Sequence, residues 1–252
     1  MREKKPQLER IAEEFDLTVN SVEQYPTDKP SLIVANHTSM KDIFTISAAL
    51  PEATKIVLSS RLMWKANNIE TSLRRLMIEQ TLHGIPLEVH SGQERLRAGF
   101  EMAKRALSEG WSVIIFPEGA YTGDGHVTKG RTGATRILFD ATQEGIDAHL
   151  LPVGIRTELN TDRLDDFVPD GDVSVISIGT PIDYHEYYDA FSQATCHDEK
   201  KLALRAPIDA AMQAAATLAG YPYLDEYIWL RPRDTVVLES GEEVPLGRAA
   251  IR

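Results

Sequence analysis

The sequence predicts an α/β protein: a mixed, largely parallel sheet flanked by helices, with a helical C-terminal extension. Three observations carry this. Short apolar runs rich in β-branched residues alternate with longer stretches of helical period. Glycines and prolines punctuate the junctions between them. The 252 residues, 42% of them hydrophobic, can bury a sizeable core. Alternation of this kind points to strands side by side with helices on the sheet faces rather than to segregated layers.

The elements follow in order. A polar stretch over 7–15 reads as helix and 17–22 as an extended segment, before the turn-rich Tyr25-Pro26-Thr27-Asp28-Lys29-Pro30. Residues 32–35 form a strand, the helix over 41–50 stops at Pro51, and 55–58 is again a strand. Between 61 and 82, Leu62, Ala66, Ile69, Leu73 and Leu76 recur at helical spacing, a stripe that ordinarily faces a core. Ser91 and Glu94 make a capping box for a helix whose buried face is Leu96, Phe100, Ala103 and Leu107, ended by Gly110. A strand over 112–116, a helix over 133–144 stopped by Gly145, and strands over 150–155 and 173–178 complete the alternation. Residues 184–218 read as helix with a break near Pro207, and the tail holds a hairpin turning at Ser240-Gly241.

A formal net charge of -11 argues against nucleic acid, whose phosphates it repels, and against broad adsorption to anionic lipid. No apolar run approaches the roughly 20 residues of a membrane span, and the N-terminus lacks the apolar core of a signal peptide. The expected location is therefore the cytoplasm, with peripheral membrane contact left open. The single cysteine, Cys196, excludes an internal disulfide and cannot by itself build a thiolate metal site.

Two segments carry candidate chemistry. Ala35-Asn36-His37-Thr38-Ser39-Met40-Lys41-Asp42 follows an apolar strand and opens a helix. A histidine at the strand end and a carboxylate five positions on can meet across the turn. The carboxylate then fixes one imidazole tautomer, and the other ring nitrogen accepts a proton from a hydroxyl or amine. A helix cap beside a surface histidine would use the same residues. Phe116-Pro117-Glu118-Gly119 ends a second strand with an acid between proline and glycine, so Glu118 is expected to project from the sheet edge where βα-loops collect ligands.

Together these segments resemble the N-H-x4-D and F-P-E-G blocks of the glycerolipid (lysophospholipid) acyltransferase family. Leu151-Pro152-Val153, Gly179-Thr180-Pro181-Ile182 and the Lys129-Gly130 region resemble later blocks of that family, in order. The resemblance spans about 17–185, which makes 1–185 the expected acyltransferase domain and 186–252 a C-terminal helical extension and tail packed on it. It implies transfer of an acyl group from an acyl-CoA or acyl-carrier-protein thioester to an acceptor hydroxyl, or an amine, with neither metal nor cofactor. By the same resemblance His37 is the general base and Asp42 its orienting acid, while backbone amides near the helix start after Ser39 are candidate oxyanion donors. Asn36, Ser39, Glu118, Gly119, Lys129, Arg131, His90 and Tyr121 are the candidate substrate-binding positions.

The chain departs from the pattern at two of them. Where many members carry arginines associated with an acceptor phosphate, His90 and Tyr121 stand, and neither replaces a bidentate guanidinium fork. The acceptor is then a lysophospholipid-like or specialised small molecule rather than a simple glycerol phosphate, or Arg131 or Arg136 has taken over the phosphate. The acidic balance also suits a carrier-bound donor. Three other readings compete: a catalytically silent module binding an acyl thioester or lipid, a nucleotide-binding enzyme built on Gly125-His126-Val127-Thr128-Lys129-Gly130-Arg131-Thr132, and a metal-dependent hydrolase using His37, Asp42, His83 and His90.

Overall fold

The computed structural model describes residues 16–59, 80–88, 92–123, 125–158 and 173–228, together with the backbone of 235–237 and 243–245. Its centre is a seven-stranded sheet in the order β1 (Leu17–Asn20), β8 (Val173–Ile178), β7 (His149–Glu158), β2 (Ser31–Ala35), β5 (Val113–Ile115), β3 (Lys55–Ser59) and β4 (Ile85–Leu87). Every neighbouring pair is parallel except β7 with β8, so the sheet is mixed and largely parallel, as the alternation of elements predicts.

Strand β2 is fourth of the seven and buried along its whole length. Its side chains divide between two cores with the period of two that a strand imposes. Ile33 and Ala35 join the cluster containing Ile43, Phe44 and Ile46 of helix α1 (Asp42–Ala49). Leu32 and Val34 join the cluster on the other face, under helices α2 (Gln93–Ser108), α3 (Gly133–Gln143) and α5 (His197–Ala219). The result is three layers, with α1 the one α-helix on its face among the described residues.

Several boundaries differ from the sequence expectation. Helix α2 is capped by Gly92 with no side-chain cap bond, and Ser91 of the expected capping box lies outside the described residues. The helix expected over 61–82 lies almost wholly outside them, as does the one over 7–15. In the 184–218 region the break falls at 194–196, between α4 (His185–Gln193) and α5, while Pro207 sits buried inside α5. The cause is a competing start signal: Glu199 Oε2 accepts from the Thr195 amide at 2.9 Å and from its hydroxyl at 3.3 Å, fixing the chain just before α5. The tail hairpin forms between β10 (Thr235–Val237) and β11 (Glu243–Pro245), with Val236 opposite Val244. A two-stranded parallel pair, β6 (Val127–Thr128) with β9 (Tyr223–Leu224), was not expected. The C-terminal region lends Leu204, Ile208, Ala211, Met212 and Ala216 to the second core.

Candidate active site

The parallel pairing of β2 with β5 places the two candidate segments against each other. Leu32 stands opposite Val113 and Val34 opposite Ile115. The same offset of 81 positions carries past both strand ends to His37 and Glu118, where the His37 amide donates to Glu118 Oε2 at 2.7 Å.

Asp42 opens α1 and turns its carboxylate back over the preceding loop. Oδ2 lies 3.0 Å from His37 Nδ1 and accepts the Thr38 amide at 2.5 Å and the Ser39 amide at 2.9 Å. Oδ1 accepts the Thr157 hydroxyl from β7 at 3.2 Å. A carboxylate can only accept, so Nδ1 carries the hydrogen of this contact and Nε2 holds the basic lone pair. The imidazole stacks on Phe116 with centroids 4.3 Å apart and meets the edge of Tyr121 at 5.8 Å. Ring contacts on two sides and a buried carboxylate on a third hold the imidazole in one orientation.

The backbone of His37 is gripped as well. Thr122 donates its amide to the His37 carbonyl at 2.9 Å, opposite in sense to the His37 amide bond to Glu118. Asn36 pairs with β7 through both atoms of its amide, which anchors the residue just ahead of His37.

Glu118 differs from expectation. It is fully buried and turned inward, with Oε1 accepting the Thr128 amide at 2.7 Å and the Thr128 hydroxyl at 2.9 Å. Proline and glycine do bend the chain away from the sheet, but donors on both sides draw the carboxylate under the loop instead of out of it. Burial pushes its carboxyl up to about 8, against the pull of these three donors. Gly119 is the residue left at the surface, with φ +79°, and a Cβ there would lie 3.0 Å from Arg131 Nε.

The remaining candidates separate. Arg131 is half-buried against Gly119, its amide bonded to Pro117 O at 2.7 Å, and burial lowers the guanidinium's proton affinity. Tyr121 faces the imidazole. Lys129 forms an ion pair with Asp225 at 2.6 Å, so its ammonium is engaged within the fold rather than turned to the histidine. The amides at the helix start, candidate oxyanion donors, are largely taken up: Thr38 and Ser39 donate to Asp42, and Lys41 and Asp42 donate to Ser39 Oγ and O. His90 lies outside the described residues. Thr38, Thr122, Thr128 and Thr157 complete the network; Thr38 and Thr122 lie in or beside the two blocks and Thr128 in the glycine-flanked segment, whereas Thr157 carried no sequence signal.

The rival sites lose their geometry. The glycine-flanked loop at 125–132 contains strand β6, and its Thr128 amide is spent on Glu118, so these amides do not converge as a phosphate cradle. His83 packs on Trp111 at 5.1 Å, beside the start of β5, whereas His37 lies past the end of the parallel β2. Two residues of the metal reading, His37 and His83, therefore do not meet, and its His90 lies outside the described residues.

Comparison with known proteins decides the family. The family model described as Acyltransferase matches residues 16–156, more than half of the chain, and these include His37, Asp42, Glu118 and Thr128 but not Thr157 or the C-terminal contacts. The chain belongs to the acyltransferase family. As an acyltransferase it shares its fold with the crystal structure of the 1-acyl-sn-glycerophosphate (LPA) acyltransferase PlsC from Thermotoga maritima. The two are 20% identical, with a TM-score of 0.52 over 82% of this chain and 77% of that one. No curated protein matches the acyltransferase sequence significantly. Among the described residues, no helix of this acyltransferase is long and apolar enough to cross a membrane.

Proposed function

We propose that this acyltransferase moves an acyl group from a coenzyme A or acyl-carrier-protein thioester to the hydroxyl of a lipid-like acceptor, with His37 as general base. The observation that carries the reading is the 3.0 Å contact between His37 Nδ1 and the buried Asp42 carboxylate, which leaves Nε2 as the basic nitrogen. Nε2 takes the proton of the acceptor hydroxyl as its oxygen attacks the thioester carbonyl. The tetrahedral intermediate expels the thiolate, the imidazolium returns the proton to sulfur, and an ester and a free thiol result. Asp42 stabilises the imidazolium formed between these steps, and no nucleophile from the protein is needed.

For the acceptor, the position of Arg131 favours a phosphate-bearing lipid. Of the two arginines considered, Arg131 lies against Gly119 of the Phe116–Gly119 block, whereas Arg136 is exposed on α3. A guanidinium there supplies the fork that Tyr121 does not. The test is thiol release from a panel of acyl-CoA and acyl-carrier thioesters with lysophospholipid and neutral acceptors, with His37→Ala in parallel. Acceptor-dependent release abolished in the variant is the expected result. Acceptor-dependent release that survives it removes His37 as the base, and thioester binding without transfer in the wild type would return the protein to the class of silent binding modules.

A further inference from the structure

We propose that Thr128 is a positioning residue for acyl transfer, and that the segment following α5, residues 222–227, is the strap that holds it in place. The proposal rests on the reading of His37 as the base.

The connection is short and continuous. Thr128 gives both its amide and its hydroxyl to Glu118 Oε1, and the other oxygen of that carboxylate holds the His37 amide. One buried carboxylate thus ties the loop after β5 to the end of β2. Thr128 itself lies in the two-residue strand β6, whose pairing partner is β9 of the strap. The Val127 amide donates to Pro222 O and the Lys129 amide to Glu226 O, each at 3.0 Å. Outside the backbone, Lys129 reaches Asp225 at 2.6 Å. Arg205 of α5 donates to Gly130 O and, at 2.8 Å, to the Tyr227 hydroxyl, so the helix, the loop and the strap meet at one guanidinium.

The packing leaves little slack. A Cβ at Gly130 would stand 2.8 Å from Pro117 Cβ, 2.9 Å from Met212 Cγ and 3.1 Å from Ile208 Cγ1, so the loop is pressed between the Phe116–Gly119 block and α5. Movement of the strap is therefore passed to Thr128, through Glu118 to His37, rather than absorbed. General-base geometry tolerates little of this, since a displacement of about 1 Å can cost on the order of a hundredfold in rate. Two consequences follow for residues already met. Lys129 is a tether of the strap rather than a contact for substrate, and the C-terminal region, beyond the matched 16–156, is part of the catalytic apparatus.

The test compares Thr128→Val, which keeps the amide and the shape but loses the hydroxyl, with Thr128→Ser, which keeps both donors. Arg205→Gln loosens the strap, and His37→Ala is the reference. Each full-length variant is assayed for acyl transfer by thiol release, with kcat and the donor KM separated and Tm measured. Thr128→Val and Arg205→Gln should lower kcat about tenfold or more with donor KM within about twofold, and Thr128→Ser should recover most of the loss. A wild-type kcat in Thr128→Val, with His37→Ala inactive, overturns this proposal and leaves the base assignment standing. Loss of kcat only in proportion to loss of folded protein, or no recovery by serine, also overturns it. An active His37→Ala overturns the base assignment itself. Should Arg205→Gln fail to fold, the two Thr128 variants decide the matter alone.

Discussion

Asn36 and Ile155 pair as though the side chain were a further strand residue: Nδ2 donates to Ile155 O at 2.9 Å, and the Ile155 amide donates to Oδ1 at 2.7 Å. Asn36 is 1% exposed and Ile155 is fully buried, so no water replaces these bonds when they are lost. Asn36→Ala should destabilise the fold by about 3 kcal/mol, the penalty for orphaning two buried backbone groups. Denaturant unfolding of the two proteins measures it, and a change below about 1 kcal/mol would show that the loop collapses to satisfy Ile155 by other means.

Asp42→Asn keeps the size of the side chain and removes its charge. An amide cannot accept at both ends: its oxygen can stay on the N–H donors of His37, Thr38 and Ser39 while its NH2 turns to the Thr157 hydroxyl, which can accept. The neutral amide then no longer offsets the charge of the imidazolium formed during transfer. The expected loss in kcat is on the order of a thousandfold, read from acyl transfer at saturating donor. A loss confined to KM would place Asp42 in substrate binding instead.

Glu118 gives the stability of the protein a pH dependence of definite sign. Its carboxyl is raised from 4.5 to about 8 by burial. Between those values the folded chain holds more protons than the unfolded one, so this group's contribution is full below about 4.5 and is lost as pH rises through about 8. Glu118→Gln should flatten that slope although it forfeits one accepted bond. Equilibrium unfolding of both proteins across the window provides the comparison, and parallel slopes would count against the shift.

Arg131→Ala should raise KM for a phosphate-bearing acceptor about tenfold or more, the scale of a lost charge-assisted hydrogen bond, with the donor KM unchanged. Arg136→Ala, altering an exposed position on α3, should leave both constants as they are. Steady-state kinetics with a lysophosphatidic acid and a neutral acceptor separates these outcomes. Equal turnover of the phosphate acceptor by wild type and by the Arg131→Ala, Arg136→Ala double variant removes phosphate anchoring from both.

Much of this arrangement is legible in the sequence because it is local or periodic. His37 and Asp42 are five positions apart, and the register of two neighbouring parallel strands brings Glu118 to them. The inward turn of Glu118 was not legible, since it depends on Thr128, ten positions on, and Thr128 depends in turn on a pairing with Tyr223–Leu224. Strands of two residues leave no periodic trace. The break before α5 departs from the sequence expectation for a related reason: proline is the louder signal in the sequence, yet a glutamate reaching back to Thr195 sets the boundary. Tyr121 shows the same limit from the other side, its contact with His37 arising only once the loop after Gly119 has closed.

The edge strand β1 bears on how the molecule is made. It leaves the ribosome well before its hydrogen-bonding partner β8, and Asn20 reaches Ser177 across 157 positions of chain. At translation rates of about 5–20 residues per second, β1 waits on the order of ten to thirty seconds for the strand it must join. During that interval its open backbone is a template for any passing strand, so the nascent chain is most exposed to mispairing, and most in need of a chaperone, just before the sheet can be closed.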